Sequence, residues 1–183
     1  MWPRFAWRRV YEPLIRRAAG LGDAPRVADP DRYANRYAHC DVLVVGAGPA
    51  GLCAALAASE TGARVIMCEQ DARLGGALLD ETQTLIDGEP AFAFVERALA
   101  ILRARANVQV LTRTTAFGVY ADNFVGLVER TADHVAAPDP AVPRQRLWQV
   151  RAARVVLAAG AIERPLLFPD NDRPGVMLAE AAR

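Results

Sequence analysis

The chain has 183 residues, of which 52% are hydrophobic and 23% are charged, a composition typical of a folded globular protein rather than a disordered one. Its 22 basic and 21 acidic residues leave a net charge of +1, so the overall charge gives no reason to expect binding to nucleic acid or to an anionic membrane. All 22 basic residues are arginine, which excludes a Schiff-base lysine or a P-loop lysine within this sequence.

The three cysteines, Cys40, Cys53 and Cys68, are too widely spaced for a C-x-x-C motif, so neither a zinc site nor a redox-active disulfide is predicted. Their odd number and the lack of a signal peptide favour a reducing compartment. The hydrophobic runs are far shorter than the roughly 18 residues of a membrane span. We therefore expect a cytoplasmic protein without a membrane segment.

Residues 1–38 are predicted to form an arm and linker that precede a domain at 39–183. Arginines alternate with aromatic residues in the arm, an arrangement that also occurs in nucleic-acid-binding segments. A helix over Glu12–Ala19 that packs apolar residues on a neighbour while its arginines face solvent explains the arrangement more simply. Glycine and proline then interrupt the pattern and predict a linker. The aromatic residues are Trp2, Phe5, Trp7 and Tyr11, and the linker residues are Gly20, Gly22, Pro25 and Pro30.

The stretch from Asp41 to Glu69 is typical of a dinucleotide-binding βαβ unit. Val42–Val45 is an apolar run of the kind found in parallel strands that are buried on both faces. A G-x-G-x-x-G motif follows, and its glycines allow a tight turn, a close approach to a pyrophosphate and close packing of helix on strand. The helix N-terminus that follows attracts phosphate. The motif residues are Gly46, Gly48 and Gly51, with Pro49 at the helix start.

The sequence around the glycine motif supports the same interpretation. Gly62 stands where a helix C-cap glycine is expected, and Arg64–Cys68 predicts the second strand. Glu69 lies 18 residues after Gly51, close to the roughly 20-residue offset of the acid that binds ribose hydroxyls. A carboxylate there would repel a 2′-phosphate, so NAD or FAD is expected and NADP is not.

A second glycine pair, Gly75 and Gly76, follows the predicted ribose-binding acid. One interpretation is an ordinary surface turn. The other is that these glycines let the backbone pass close to the dinucleotide while Arg73 helps to balance the phosphate charge. The sequence leaves both open.

The rest of the chain predicts one amphipathic helix, further strands and a Pro-rich loop. His134, in the loop, has no neighbouring constellation that marks it as catalytic, and we interpret it as a surface residue. The predicted elements are a helix over Pro90–Ala106 with Asn107 as its C-cap, a strand over Val108–Leu111, a hairpin of Thr115–Ala121 and Phe124–Arg130 about Asp122 and Asn123, a loop over His134–Gln145, and strands over Leu147–Val150 and Val155–Ala161.

Taken together, these motifs resemble the flavoproteins with two dinucleotide-binding domains. The resemblance predicts an α/β fold: a Rossmann-like FAD/NAD(P)-binding domain with a parallel sheet, a crossover helix and a β-meander, incomplete at its C-terminus. The family's last strand usually ends in Ala-Thr-Gly, and here Ala159 replaces the threonine, so a hydroxyl contact is lost. Three stretches look more specifically like the α subunit of heterotetrameric sarcosine oxidases: Tyr11–Gly22, Asp29–Gly51 and Gly160–Leu178.

In that family, α, β, γ and δ chains oxidise sarcosine to glycine and hydrogen peroxide, and tetrahydrofolate accepts the one-carbon unit. The resemblance implies that the β chain performs the amine oxidation, while the α chain binds NAD and helps to enclose an FMN at the interface with β. No catalytic or metal-ligating residue is predicted here. Carried over by position or proximity, the candidate cofactor-binding residues are Gly46, Gly48, Pro49, Ala50, Gly51, Glu69, Gln70, Arg73, Gly75, Gly76, Ala116, Ala159 and Gly160.

The sequence contains no second G-x-G-x-x-G, no folate-binding domain and no N-terminal ferredoxin-like domain, so we interpret it as a fragment or truncated gene product that is inactive alone. Two alternatives stay open. The chain could be an FAD-dependent pyridine-nucleotide oxidoreductase domain, or a non-catalytic assembly subunit with a degenerate site. The intact glycine motif and Glu69 weigh against the second alternative.

Overall fold

A computed structural model describes residues 4–20, 27–81, 83–179 and 181. The chain divides into two compact units, Met1–Asp31 and Arg32–Arg183. Trp2 of the predicted arm and Gly22 and Pro25 of the predicted linker lie outside the described residues.

The first unit contains one continuous helical run. It consists of α1 (Arg4–Ala6), a π-helical segment (Trp7–Tyr11) and α2 (Glu12–Ala18). The helix therefore begins well before the predicted Glu12. Pro13 lies two residues after the π-helical segment and has no N–H to donate to the carbonyl four residues earlier. The Glu12 N–H donates to the Trp7 carbonyl, five residues back.

The second unit is built on a six-stranded sheet in the order β5-β2-β1-β8-β7-β6. The first four of these strands are parallel, and β6, β7 and β8 form an antiparallel meander. The elements are β1 (Tyr33–Val45), α3 (Pro49–Glu60), β2 (Val65–Cys68), β3 (Leu85–Ile86), β4 (Glu89–Pro90), α4 (Ala91–Ala104), β5 (Val108–Leu111), β6 (Thr114–Tyr120), β7 (Phe124–Arg130) and β8 (Gln145–Leu157). The predicted α/β fold with a crossover helix and a meander is confirmed.

Strands β1 and β8 are longer than the sequence predicted. β1 begins at Tyr33, inside the stretch that we assigned to the arm and linker, because its first half pairs in parallel with β8 from Tyr33 opposite Gln145. β8 is one strand rather than two, and it ends at Leu157 instead of Ala161. Arg151 and Arg154 interrupt the apolar pattern without ending the strand, because both side chains are exposed.

The sheet has a hydrophobic core on each face. Alternate residues of β1 separate them, with Val44 in the core shared with α3 and α4 and Leu43 in the core shared with the meander. Leu52, Leu102 and Met67 belong to the helical side, and Leu127, Trp148 and Val150 to the meander side. The sheet is thereby covered on both faces, as parallel sheets require.

Turn residues explain three local features. Gly62, with φ +81°, follows the end of α3 as predicted, and Asp122 and Asn123, both with positive φ, form the predicted hairpin turn. The small β3–β4 hairpin is not among the predicted elements, although its Asp87-Gly88 dipeptide is a strong turn signal.

The prediction that Asn107 is the C-cap of α4 is wrong, because Asn107 caps the end of α3 instead. Helix α4 ends with Arg105 as its C-cap. The Asn107 side-chain amide instead donates to the carbonyl of Ser59 (3.1 Å), in the last turn of α3, and to that of Ala63 (2.7 Å), just beyond its end. Local sequence could not show this because the partner helix is more than 40 residues away.

Candidate dinucleotide site

Two glycines of the motif are required by contacts within the protein itself. A Cβ atom on Gly46 would lie 2.3 Å from the Ala158 carbonyl oxygen just after β8, and Gly46 also has a φ of +98°. A Cβ atom on Gly51 would lie 1.9 Å from the Gly46 carbonyl oxygen. The turn, the start of α3 and the end of β8 therefore come together only if both residues lack side chains.

Gly48 differs from both because an added Cβ atom would make no clash there. Its backbone is extended, at φ −72° and ψ −172°, and the nearest atom to an added Cβ is the Gly76 Cα at 4.0 Å. Nothing in the fold therefore requires glycine here. A glycine at this position of the motif permits a pyrophosphate to approach the backbone.

Helix α3 directs its N-terminus at this space. Gly48 is its N-cap and Pro49 its first residue, and the Leu52 N–H donates to the Gly48 carbonyl at 2.9 Å. The N–H groups of Ala50 and Gly51 precede that first intrahelical bond, and both residues lie in the first turn. Free N–H groups and the positive end of the helix dipole make this position suitable for a phosphate.

The second glycine pair lies against the first glycine turn. The Gly75 N–H donates to the Ala47 carbonyl at 2.9 Å, and a Cβ atom on Gly76 would lie 2.9 Å from the Gly48 Cα. Both residues of the pair have positive φ, +135° and +54°. The pair therefore packs on the first glycine turn, and its approach to a dinucleotide remains a prediction.

Glu69 closes the glycine turn from the other side. It follows β2, its exposed fraction is only 8%, and its Oε2 accepts a hydrogen bond from the Ala47 N–H at 2.8 Å. Its Oε1 accepts from the Asp71 N–H at 3.1 Å. A carboxylate can be buried at tolerable cost only when such donors surround it. Each carboxylate oxygen keeps a further lone pair that can accept a hydrogen bond from a ribose hydroxyl.

The turn after Glu69 is anchored to the strands that follow it. The Thr114 N–H donates to the Glu69 carbonyl at 2.7 Å, and the Arg113 N–H donates to the Asp71 carbonyl at 3.0 Å. The Arg130 guanidinium donates to the Gln70 carbonyl. These contacts fix the position of the strand end that carries the acid.

The remaining predicted cofactor-binding residues lie on three other segments of the fold. Gln70 and Arg73 are exposed on the segment after β2. Ala159 and Gly160 follow β8, directly after Ala158, whose N–H donates to the Val45 carbonyl at 2.8 Å. Ala116 is half-buried on β6 opposite Leu127, so the glycine turn is not among its strand partners.

Sequence reasoning missed three participants that act through the backbone. Ala47 donates to Glu69 and accepts from Gly75, Asp71 donates to Glu69, and the Ala158 carbonyl limits the residue at position 46. Ala47 and Ala158 offered no signal, since alanine is compatible with any packed turn.

The described part of the chain contains no group of three or more His, Cys, Asp or Glu residues that could hold a metal ion. Burial raises the pKa of the Cys40 thiol to about 11 and that of the Cys68 thiol to about 12, whereas Cys53 is exposed. In the described ranges, no helix is long and apolar enough to cross a membrane.

Comparison with known proteins agrees with this geometry. The family model described as FAD dependent oxidoreductase matches residues 41–103. The solved structure of L-proline dehydrogenase from P. horikoshii superposes with a TM-score of 0.58 at 27% identity, covering 77% of this chain and 26% of that one. The fold is therefore the Rossmann-like fold of the FAD-dependent oxidoreductases.

Two sequence relatives are more specific. The sarcosine oxidase subunit alpha of Rhizobium meliloti (strain 1021) is 54% identical over all 183 residues, and that of Corynebacterium sp. (strain P-1) is 48% identical over 90% of the chain. The chain spans 18% and 17% of the lengths of these relatives. It is a homologue of one segment of the sarcosine oxidase α subunits, which confirms the resemblance noted in the sequence.

Proposed function

We propose that this chain is the NAD-binding segment of the α subunit of a sarcosine oxidase. The observation that carries the proposal is the meeting of the two glycine turns at Gly48 and Gly76, where an added Cβ on Gly48 would clash with nothing, beside a buried acid. This combination fits a dinucleotide, which needs close backbone approach at its diphosphate and an acceptor at its ribose.

The residues have distinct roles in this proposal. The first turn of α3 holds the diphosphate, with Gly48 and Gly76 leaving room for it. Glu69 accepts hydrogen bonds from the adenosine ribose hydroxyls and repels a 2′-phosphate, which favours NAD over NADP. Gln70, Arg73, Ala116, Ala159 and Gly160 are proposed to line the rest of the nucleotide. Bound NAD would supply hydride-transfer chemistry, and the protein supplies its position.

The wider function is proposed from the relatives' names and the family resemblance. The complete complex would contain β, γ and δ subunits, oxidise sarcosine to glycine and hydrogen peroxide in the cytoplasm, and pass the one-carbon unit to tetrahydrofolate. An FMN would lie at the interface with β. We assign amine oxidation to β.

A second candidate is FAD in the same site. The match to FAD dependent oxidoreductases over residues 41–103 favours it, and the same phosphate and ribose contacts would serve a flavin nucleotide. A non-catalytic assembly role is the third candidate, in which the site would hold no nucleotide.

Identification of the nucleotide that copurifies with the chain tests all three candidates. The protein is denatured without acid, and the released nucleotide is separated by chromatography and weighed by mass spectrometry. NAD supports the proposal, and FAD supports the second candidate. A nucleotide-free protein that also fails to bind added NAD and FAD by calorimetry would contradict both.

A further inference from the structure

One side chain from the meander helps to hold the turn that follows Glu69. The Gln70 carbonyl accepts a hydrogen bond from the guanidinium of Arg130, the last residue of β7. The carbonyls on either side of it accept from the backbone N–H groups of Arg113 and Thr114. A backbone donor is present whatever residue stands at its position, proline excepted, whereas the guanidinium depends on Arg130 itself.

The peptide bond between Gln70 and Asp71 joins Arg130 to Glu69. Its carbonyl accepts from the guanidinium, and its N–H, that of Asp71, donates to Glu69 Oε1 at 3.1 Å. The carbonyl and the N–H of a trans peptide point in opposite directions, so the two charged groups lie on opposite sides of one peptide unit. A cation at the carbonyl and an anion at the N–H polarise that unit in the same sense, which strengthens both hydrogen bonds.

An unusual backbone conformation brings the end of β7 to this turn. Arg113 has a φ of +51°, in the left-handed region that arginine seldom adopts. Its N–H donates to the Asp71 carbonyl at 3.0 Å, and its own carbonyl accepts from the Arg130 N–H at 2.9 Å. Strained residues of this kind persist where surrounding contacts hold them, and they are concentrated at functional sites.

We propose that Arg130 is a positioning residue for the adenosine ribose of the bound nucleotide. It holds the Gln70–Asp71 peptide, this peptide holds Glu69 Oε1, and the Glu69 carboxylate accepts the ribose hydroxyls. Glu69 Oε2 stays bound to the Ala47 N–H at 2.8 Å, so loss of Arg130 loosens one oxygen and leaves the acid in place. The inference rests on the ribose role proposed for Glu69, and it applies to NAD and FAD alike because both contain adenosine diphosphate.

The test compares the affinities of ADP and 2′-deoxy-ADP, which differ only in one ribose hydroxyl. Both are titrated by calorimetry into the α chain that contains this segment, after any bound nucleotide has been removed. The variants are Arg130→Ala and the conservative Arg130→Lys, and the matched control is Arg103→Ala, at another exposed arginine, on α4. Melting temperatures are measured for each protein.

We expect wild type to bind ADP more tightly than 2′-deoxy-ADP. Arg130→Ala should weaken ADP about two- to tenfold, the range that the loss of one hydrogen bond gives, and leave 2′-deoxy-ADP nearly unchanged. Arg130→Lys should recover part of the preference because an ammonium group can donate to the same carbonyl, and the control should keep all of it. A purely structural defect would instead weaken both nucleotides together, and that result would overturn the proposal. So would an unchanged preference in Arg130→Ala.

A second background tests whether Arg130 acts through Glu69. In Glu69→Gln, the further change Arg130→Ala should lower the preference for ADP no more, because residues that act as one unit are not additive. A further fall as large as in wild type would show that Arg130 acts independently and would overturn the proposal.

The same titrations separate the positioning role from the proposed function. A wild type that binds NAD, but whose preference for ADP survives Arg130→Ala, would refute the positioning role alone. A wild type that binds FAD and not NAD would refute the NAD assignment, and the loss of preference in Arg130→Ala would then still support the positioning role. A wild type that binds none of NAD, FAD and ADP would refute both.

Discussion

The carboxylate of Glu69 accepts a hydrogen bond from the backbone N–H of Ala47, which lies 22 residues earlier in the chain, at 2.8 Å. The acid proposed to bind ribose is thereby joined to the turn proposed to bind phosphate. Because the side chain is buried, its loss affects the protein as well as the ligand.

Replacing Glu69 should lower both stability and nucleotide affinity. Glu69→Ala leaves the Ala47 and Asp71 N–H groups without their acceptor, which should cost about 1 to 3 kcal/mol of unfolding free energy. Glu69→Arg places a cation in the same buried position, so any gain in NADP affinity should come with a lower melting temperature. Urea unfolding and titration with NAD and NADP measure both effects, with exposed Glu96→Gln as the control. An Ala variant as stable as wild type would show that the two bonds contribute nothing.

Substitutions of the glycines should separate folding from binding. Gly48→Ala places its Cβ at ordinary van der Waals distance, 4.0 Å, from the Gly76 Cα and keeps favourable backbone angles, so circular dichroism and melting temperature should stay close to wild type while NAD affinity falls at least about tenfold. Gly51→Ala drives a Cβ to within 1.9 Å of a carbonyl oxygen and should disrupt the fold itself. A folded Gly48→Ala protein with undiminished affinity would show that this turn does not hold the diphosphate.

The cap at the end of α3 should affect stability alone. Asn107→Ala removes two hydrogen bonds to carbonyls at the helix end, at 3.1 and 2.7 Å, and should cost about 1 to 2 kcal/mol. The amide lies at the opposite end of α3 from Gly48, so NAD affinity should be unchanged. Urea unfolding and calorimetry check this, with exposed Asn35→Ala as the comparison. A loss of affinity at unchanged stability would contradict the cap role.

The three thiols should differ sharply in reactivity. Cys53 is exposed and should react with a thiol reagent such as DTNB at pH 8. Cys40 and Cys68 are buried, and their raised pKa values of about 11 and 12 leave almost no thiolate at that pH. We expect one rapid equivalent per chain, and the other two only in denaturant. Three equivalents at equal rates in the native protein would contradict the described core.

The isolated 183-residue chain should oxidise no amine, because we propose only a nucleotide site here and place amine oxidation in the β subunit. The measurement is peroxide release from sarcosine by the purified chain, with the assembled complex as positive control. Peroxide formed by the chain alone would contradict the assignment of catalysis to β.

The sequence by itself determined the elements whose signals are local. The β-branched run before Gly46, the small residues of α3, the apolar face of α4 and the Asp122-Asn123 turn each depend on neighbouring residues, so their spacing was enough to predict them. The resemblance to sarcosine oxidase α subunits also came from sequence alone, and the comparisons confirm it.

Only the tertiary structure decided how these pieces meet. The first half of β1 carries no apolar run and becomes a strand because β8, more than 100 residues later, pairs with it. The contact of Gly76 with Gly48, the burial of Glu69 against Ala47 and the Asn107 cap on α3 join residues from 22 to 48 positions apart. Contacts at such separations leave no periodic trace in the sequence, because chain topology and not local spacing brings the residues together.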